Sequence, residues 1–120
     1  MEKHVSWIVE LSVKDGEHDR FEELMREMVA GTSEEPETLA YEWYVSAARD
    51  TVHIFEKYAD SESMSTHVEG FLRKWAERFT GCVEVTRFTV YGDPSPRARE
   101  LLAGFGPTYL SPWGGFSRFS

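Results

Sequence analysis

The chain is expected to fold as an α+β domain of the ferredoxin-like kind, the split βαβ order β-α-β-β-α-β built on an antiparallel sheet. Three observations carry that expectation. Apolar residues alternate with polar ones at a period of two in four separate stretches, and two amphipathic stripes of helical period lie between them. The second and third alternating stretches are joined by residues 47–50 alone, the length of a hairpin loop. Both helices then fall on one face of the sheet and leave the other bare.

Val5, Trp7, Val9, Leu11 and Val13 alternate with His4, Ser6, Ile8, Glu10 and Ser12, so the first strand has one strongly apolar face. Lys14-Asp15-Gly16 turns the chain. Phe21, Leu24, Met25, Met28 and Val29 form the first helical stripe, and Gly31 is expected to end that helix. A polar link with Pro36 leads to Leu39, Tyr41, Trp43 and Val45, which alternate in the second strand, and Val52, Ile54, Glu56 and Tyr58 follow in the third. If Ser46 lies opposite Thr51, Tyr44 faces His53, Trp43 faces Ile54 and Tyr41 faces Glu56. Asp60 or Ser61 caps a second helix whose stripe holds Met64, His67, Val68, Phe71, Leu72, Trp75 and Phe79, with Gly81 as its end. Residues 82–92 form the fourth strand, with Val83, Val85, Arg87, Thr89 and Tyr91 on one row and Cys82, Glu84, Thr86, Phe88 and Val90 on the other. Residues 1–92 make the domain. Residues 93–120 are a C-terminal helix near 97–103 and an aromatic arm, too apolar for a disordered end. The arm is expected to pack on the same domain or on a partner subunit, with 108–110 adding a short strand.

At 120 residues the chain is one domain, able to bury about two-thirds of its unfolded surface. Lys and Arg number 13 against 21 Asp and Glu, a net charge of -8 that repels nucleic-acid backbones and anionic membranes. Cys82 has no partner for an internal disulfide, and neither a signal sequence at Met1 nor an apolar run near ~18 residues is present, so a cytoplasmic protein is expected. Aromatics make up 14% of the residues, more flat apolar surface than a small core requires, which points to a pocket or an interface. The bare sheet face needs a cover, and a second copy of the same sheet, giving a homodimer, is the simplest.

The candidates for chemistry each have a structural alternative. His67, on the apolar stripe, can take a proton from a phenol or simply fill the core with one hydrogen bond. Glu56 breaks an apolar row and must be hydrogen-bonded, protonated or wet; it either forms an acid/base pair with His67 or ties strand to helix. Arg87 can hold an anion in its planar fork or pair with Glu84 or Glu100 at the surface. Tyr41, Trp43, Tyr58, Phe71 and Trp75 offer flat walls for an aromatic substrate, or ordinary packing. His53 faces the other side of the sheet, and the acidic run Glu34, Glu35 and Glu37 reads as a solvated loop. There is no phosphate-binding loop, no cysteine pair and no His-Glu-x-x-His, and His53 and Glu56 point to opposite faces of a strand, a poor metal pair.

The stretches "ELSVKDGEHDRFEELM", "EPETLAYEWYVS" and "TVHIFEKYADSESMSTHVEGF", in that order, resemble the antibiotic biosynthesis monooxygenase-like proteins and the quinol monooxygenases grouped with them in the dimeric α+β barrel superfamily. The resemblance covers Val5 to Tyr91, and the tail is similar to that of a longer subgroup. It implies a homodimer that needs no cofactor and oxidises a small electron-rich aromatic, a quinol or polyphenol, with O2. In that reading His67 is base or hydrogen-bond partner, Glu56 its orienter, Arg87 the anion holder, and the aromatic residues named above the walls. Two alternatives stand beside it. One is a non-catalytic dimer that binds a small aromatic or lipid-like molecule under the apolar tail. The other is haem binding and degradation, against which the first strand lacks the asparagine of such relatives, and His67 and Trp75 stand in the reverse of their order.

Overall fold

The computed structural model describes residues 3–118; Met1 and Glu2, and Phe119 and Ser120 at the end of the aromatic arm, lie outside the described residues. The elements run β1 (Val5–Val13), α1 (His18–Thr32), β2 (Thr38–Val45), β3 (Thr51–Tyr58), α2 (Ser61–Lys74), α3 (Ala76–Cys82), β4 (Val83–Tyr91), α4 (Pro96–Leu102) and β5 (Thr108–Leu110), with a 3-10 turn at Ala103–Phe105. The sheet order is β2-β3-β1-β4-β5, antiparallel throughout except for β5, which runs parallel to β4. This is the ferredoxin-like arrangement expected from the alternating stretches, extended by one short edge strand.

The hairpin has the register that its loop length demands. Tyr44 pairs with His53, Trp43 with Ile54 and Tyr41 with Glu56, and the Ser46 N–H donates to the Thr51 carbonyl at 3.0 Å. Two bulges alter the expected rows. In β2 the register shifts between Thr38 and Ala40, so Leu39 leaves the inward row and is half exposed. In β4 Val85 pairs with Leu11 and Arg87 with Glu10, which makes Thr86 the extra residue, its hydroxyl donating to the Glu10 carbonyl at 3.0 Å. A bulge changes which residues face the core. Val83 and Val85 face inward before it, Phe88 and Val90 after it, and Arg87 joins the outer face.

The helices depart from their expected ends for packing reasons. Helix α1 continues through Gly31 to Thr32, and a Cβ at Gly31 would lie 2.8 Å from the ring of Trp75. Gly31 is therefore a contact point and not a terminator. Asp60 caps α2 by accepting from the Ser63 N–H at 2.8 Å, and Ser63 Oγ accepts from the Asp60 N–H in return. The second stripe is split into two helices at Trp75 (φ -128, ψ -19), and α3 runs past Gly81 to Cys82. The break lets Phe79 reach both Phe21 and Phe71, with ring centroids 5.7 and 5.2 Å away.

After β4 the chain turns at Gly92 (φ +115), where a Cβ would meet the His4 carbonyl oxygen at 2.7 Å, so only glycine fits. Ser95 caps α4 by accepting from the Ala98 N–H, and the Ser95 N–H donates to Ser61 Oγ at 2.9 Å, which pins the tail to the start of α2. Ala98 and Leu102 are buried, and the Arg99 guanidinium lies 4.3 Å over the Tyr109 ring. The inner sheet face holds the core, whereas Tyr44, Phe55, Ile8, Tyr91 and Leu110 lie half-buried or exposed on the outer one. Among the described residues no helix is long and apolar enough to cross a membrane.

Candidate active site

Strand alternation fixes one half of the site and helical periodicity the other. Ile54, Glu56 and Tyr58 share the inward row of β3, a central strand, so Glu56 is carried into the core and is 6% exposed. The buried stripe of α2 brings His67, 4% exposed, down onto it. His67 Nε2 lies 3.5 Å from Glu56 Oε1. On the other edge of the ring, Nδ1–H donates to Glu35 Oε1 at 2.9 Å. The Tyr58 hydroxyl donates to Glu56, and the rings of Tyr58 and Tyr41 pack on the imidazole at centroid distances of 5.3 and 5.6 Å.

Glu56, His67 and Tyr41 line a cavity of about 60 Å³ between the sheet and the helical layer. Its other walls are apolar: Trp7, Ile54 and Phe88 from the sheet, Phe71 from α2, and Leu102 and Phe105 from the tail. Such a space holds a few waters, at roughly 10–15 Å³ each. Phe71 and Phe105, both half-buried, form part of its wall.

The electrostatics divide the two carboxylates. Burial pushes Glu56 above the usual carboxylate range, and the neighbouring His67 and hydrogen bonds from Tyr58 and Trp7 only partly offset it. Glu35 also loses some hydration, but the hydrogen bond and charge of His67, with the Thr38 hydroxyl at 2.9 Å, more than compensate and hold it low. For His67 burial disfavours the cation, yet the Glu35 hydrogen bond and the charges of Glu56 and Glu35 prevail and raise it above 6.5. Burial, then the Glu56 charge, push the Tyr58 and Tyr41 phenols up, so both stay protonated. One imidazole thus stands between a dry carboxylate that tends to hold a proton and a wetter one that tends to stay ionised. That is an acid/base arrangement.

Of the residues singled out in the sequence, Glu56, His67, Tyr41 and Phe71 meet at the cavity, and Tyr58 stands directly behind Glu56. Trp43 packs beside Tyr41 but lines a separate depression with Phe21 and Val45. Trp75 is turned to α1, its indole N–H donating to Glu27 at 2.9 Å. Arg87 does not reach the cavity: the β4 bulge sends it to the outer face, 72% exposed and 3.8 Å from Glu10. The hydrogen bond of the imidazole goes to Glu35, in the acidic run expected to be a solvated loop, at 2.9 Å, whereas Glu56 lies 3.5 Å from Nε2. The signal of Glu35 was faint but present. Glu35-Pro36-Glu37-Thr38 is a turn, closed by the Thr38 N–H on the Glu35 carbonyl at 3.2 Å, with proline at the position such turns favour. Among the described residues no group of three or more His, Cys, Asp or Glu is placed to hold a metal ion.

Comparison with known proteins adds the following. Residues 5–71 match the family model described as antibiotic biosynthesis monooxygenase. No curated protein matches the sequence. Among solved structures, MupZ from Pseudomonas fluorescens is similar over 98% of this chain and 96% of its own, at 20% identity and a TM-score of 0.85. SnoaB from Streptomyces nogalater, a cofactor-independent oxygenase, is similar over 78% of this chain and 95% of its own, at 12% identity and a TM-score of 0.64. A conserved protein from Methanosarcina mazei Go1 has a TM-score of 0.68 at 16% identity, over 77% of this chain and 94% of its own. At these identities the structures establish the fold alone.

Proposed function

Because the chain belongs to the antibiotic biosynthesis monooxygenase family, we propose that it is a cofactor-independent monooxygenase that oxidises a small electron-rich aromatic, a hydroquinone or polyphenol, with O2. The observation that carries this reading is the Glu56–His67 pair in the wall of an otherwise largely apolar cavity. Similarity to SnoaB, itself a cofactor-independent oxygenase, supports it.

In this chemistry the substrate is the reductant. The hydroquinone hydroxyl gives its proton to the His67–Glu56 pair, with Nε2 facing the cavity. The resulting anion passes one electron to O2, and the aryl radical and superoxide combine to form a C–O bond. Loss of water across the O–O bond then leaves a hydroxyquinone, so one oxygen atom enters the product, the other leaves as water, and the proton taken first is returned. Tyr41 donates to the developing anion, and the apolar walls keep bulk water from the reduced oxygen. Phe71 and Phe105 are the residues that yield to admit the ring. The protein works as a homodimer joined through the outer sheet face.

Purified protein should consume O2 above the non-enzymatic rate with at least one of a panel of hydroquinones and polyphenols, and His67→Ala should remove that excess. No excess uptake across the panel, with His67→Ala indistinguishable from the parent, would sink the reading. A co-purified aromatic found by mass spectrometry without any turnover would leave a binding protein in its place.

A further inference from the structure

We propose that Glu35 is the positioning residue of the His67 base, making a Glu–His dyad across the wall of the cavity; this rests on the acid/base reading of His67 given above. An imidazole is a useful base only in one tautomer. The nitrogen facing the substrate must carry the lone pair, and the other must carry the proton. Here the choice is made from outside the cavity. Glu35 does not line it; its side chain is about a quarter exposed, at 26%, and opens to a surface depression beside Glu34, Glu37 and Glu62. From there its Oε1 accepts from Nδ1–H at 2.9 Å, which leaves the Nε2 lone pair turned inward to Glu56 and the cavity.

The contrast with Glu56 shows why two carboxylates are needed. A carboxylate that is 6% exposed among Trp7, Tyr58 and Tyr41 resists ionisation, so it cannot by itself hold the positive charge that His67 acquires. Glu35 stays ionised because the hydrogen bond and charge of His67 and the Thr38 hydroxyl outweigh its partial burial, and the Pro36 turn holds its backbone in place. When a substrate hydroxyl gives its proton to Nε2, the imidazolium forms against a charge already in position. The ring then returns that proton to the reduced oxygen, and no net charge is left in the cavity. The groups that face His67 are Glu35 from the turn after α1, Glu56 and Tyr58 from β3, Tyr41 from β2, and Lys74 farther along its own helix. Of these, only Glu35 is both charged and hydrogen-bonded to the ring.

The test uses the full-length chain with 15N-labelled histidine, followed by NMR as pH is varied, for the parent, Glu35→Gln and Glu35→Asp. The parent should show Nδ1 protonated and Nε2 bare above its midpoint. Glu35→Gln, which keeps the shape and removes the charge, should lower that midpoint and mix the tautomers, and Glu35→Asp should restore part of the shift. In turnover, Glu35→Gln should lower kcat by roughly 10-fold, a fraction of the ~10²–10⁴ that a positioned acid/base group supplies, with KM little changed and the alkaline rise of the pH–rate profile moved to lower pH. A His67 midpoint and tautomer that are the same in Glu35→Gln as in the parent would overturn the dyad whatever the kinetics. A dyad intact by NMR in a protein that oxidises no hydroquinone would instead remove the oxidation reading and leave the positioning of His67 by Glu35 standing.

Discussion

His67 and His53 stand on opposite sides of one sheet, and each has a glutamate oxygen 3.5 Å from Nε2. Distance does not separate them. Water does: His67 is 4% exposed, whereas the His53 side chain is 47% exposed beside Glu10 on the outer face. A pair of unit charges about 4 Å apart interacts by roughly 1 kcal/mol in bulk water and roughly 4 at the effective dielectric of a protein site. The outer pair is therefore worth about 0–1 kcal/mol and is screened by salt. The inner pair can change what a proton does. The lesson is that the residue type and its partner name a candidate, and the layer above the sheet decides whether it has chemistry.

The largest effect should come from testing that contrast directly. His67→Ala is expected to lower kcat/KM for hydroquinone oxidation by ~10²–10⁴, about 3–5 kcal/mol of transition-state stabilisation, while His53→Ala leaves it within a factor of two or so. Oxygen-electrode kinetics on both variants decide it. Equal losses in the two would erase the distinction between the faces.

A second variant asks what the outer face is for. Phe55 lies half-buried there between Glu42 on β2 and Ile8 on β1, and Phe55→Glu places a charge in the middle of the face proposed to join two copies. The dimer should weaken by roughly 100-fold, as when a central contact residue is lost, with the monomer still folded. Sedimentation shows the mass and circular dichroism the fold. A parent that is already monomeric at every concentration would end the dimer proposal.

The pH dependence of stability sharpens the inner side. Glu35 is held below its ordinary 4.5, so its contribution is present above that value and is lost as pH falls through the lower folded value. His67 is held above 6.5, so its contribution is complete below 6.5 and is lost as pH rises through the higher folded value. Glu56 is raised, so its ionisation costs stability progressively as pH climbs from 4.5. The parent should therefore exceed Glu35→Gln most between pH 4.5 and 6.5, where both contributions are complete, by about 1.5 kcal/mol for a charge-assisted hydrogen bond, or ~5 °C in Tm. The gap should close on both sides. Melting curves at a series of pH values measure it, and a pH-independent gap would mean that Glu35 stabilises by shape alone.

What could be read from the sequence follows the reach of periodicity. The four alternations and two stripes placed β1 to β4, α1 and α2, and the hairpin loop fixed Tyr41 opposite Glu56 because loop length sets register. Periodicity also put His67 on the inward stripe. It failed where one residue breaks the count. Thr86 is an extra residue with nothing in its side chain to mark it, yet it moves Arg87 from the inner row to the outer. It failed again where no period exists, in the turn that carries Glu35, since a contact 32 residues distant in the chain leaves no local pattern. Trp75 shows a third limit: its place on the stripe was right, but its partner proved to be Gly31 of another helix and not a ligand space.

The smallest expected effect tests the bulge. Arg87→Ala removes a side chain that is 72% exposed and 3.8 Å from Glu10, a contact worth at most about 0.5 kcal/mol. Stability should hold within that margin, and kcat and KM should match the parent, because no atom of Arg87 lines the cavity. A tenfold or greater loss of kcat/KM would show that the outer face reaches a reaction centre, and with a bare sheet face the only route is across a dimer contact into the partner subunit. The variant would then have broken the division between a chemical inner face and an associating outer one. If it is silent, the outer place of Arg87 is a matter of register alone, and deleting the extra residue Thr86 should leave Val85 opposite Leu11 and Arg87 opposite Glu10 in plain alternation, with Arg87 still outside and the domain still folded.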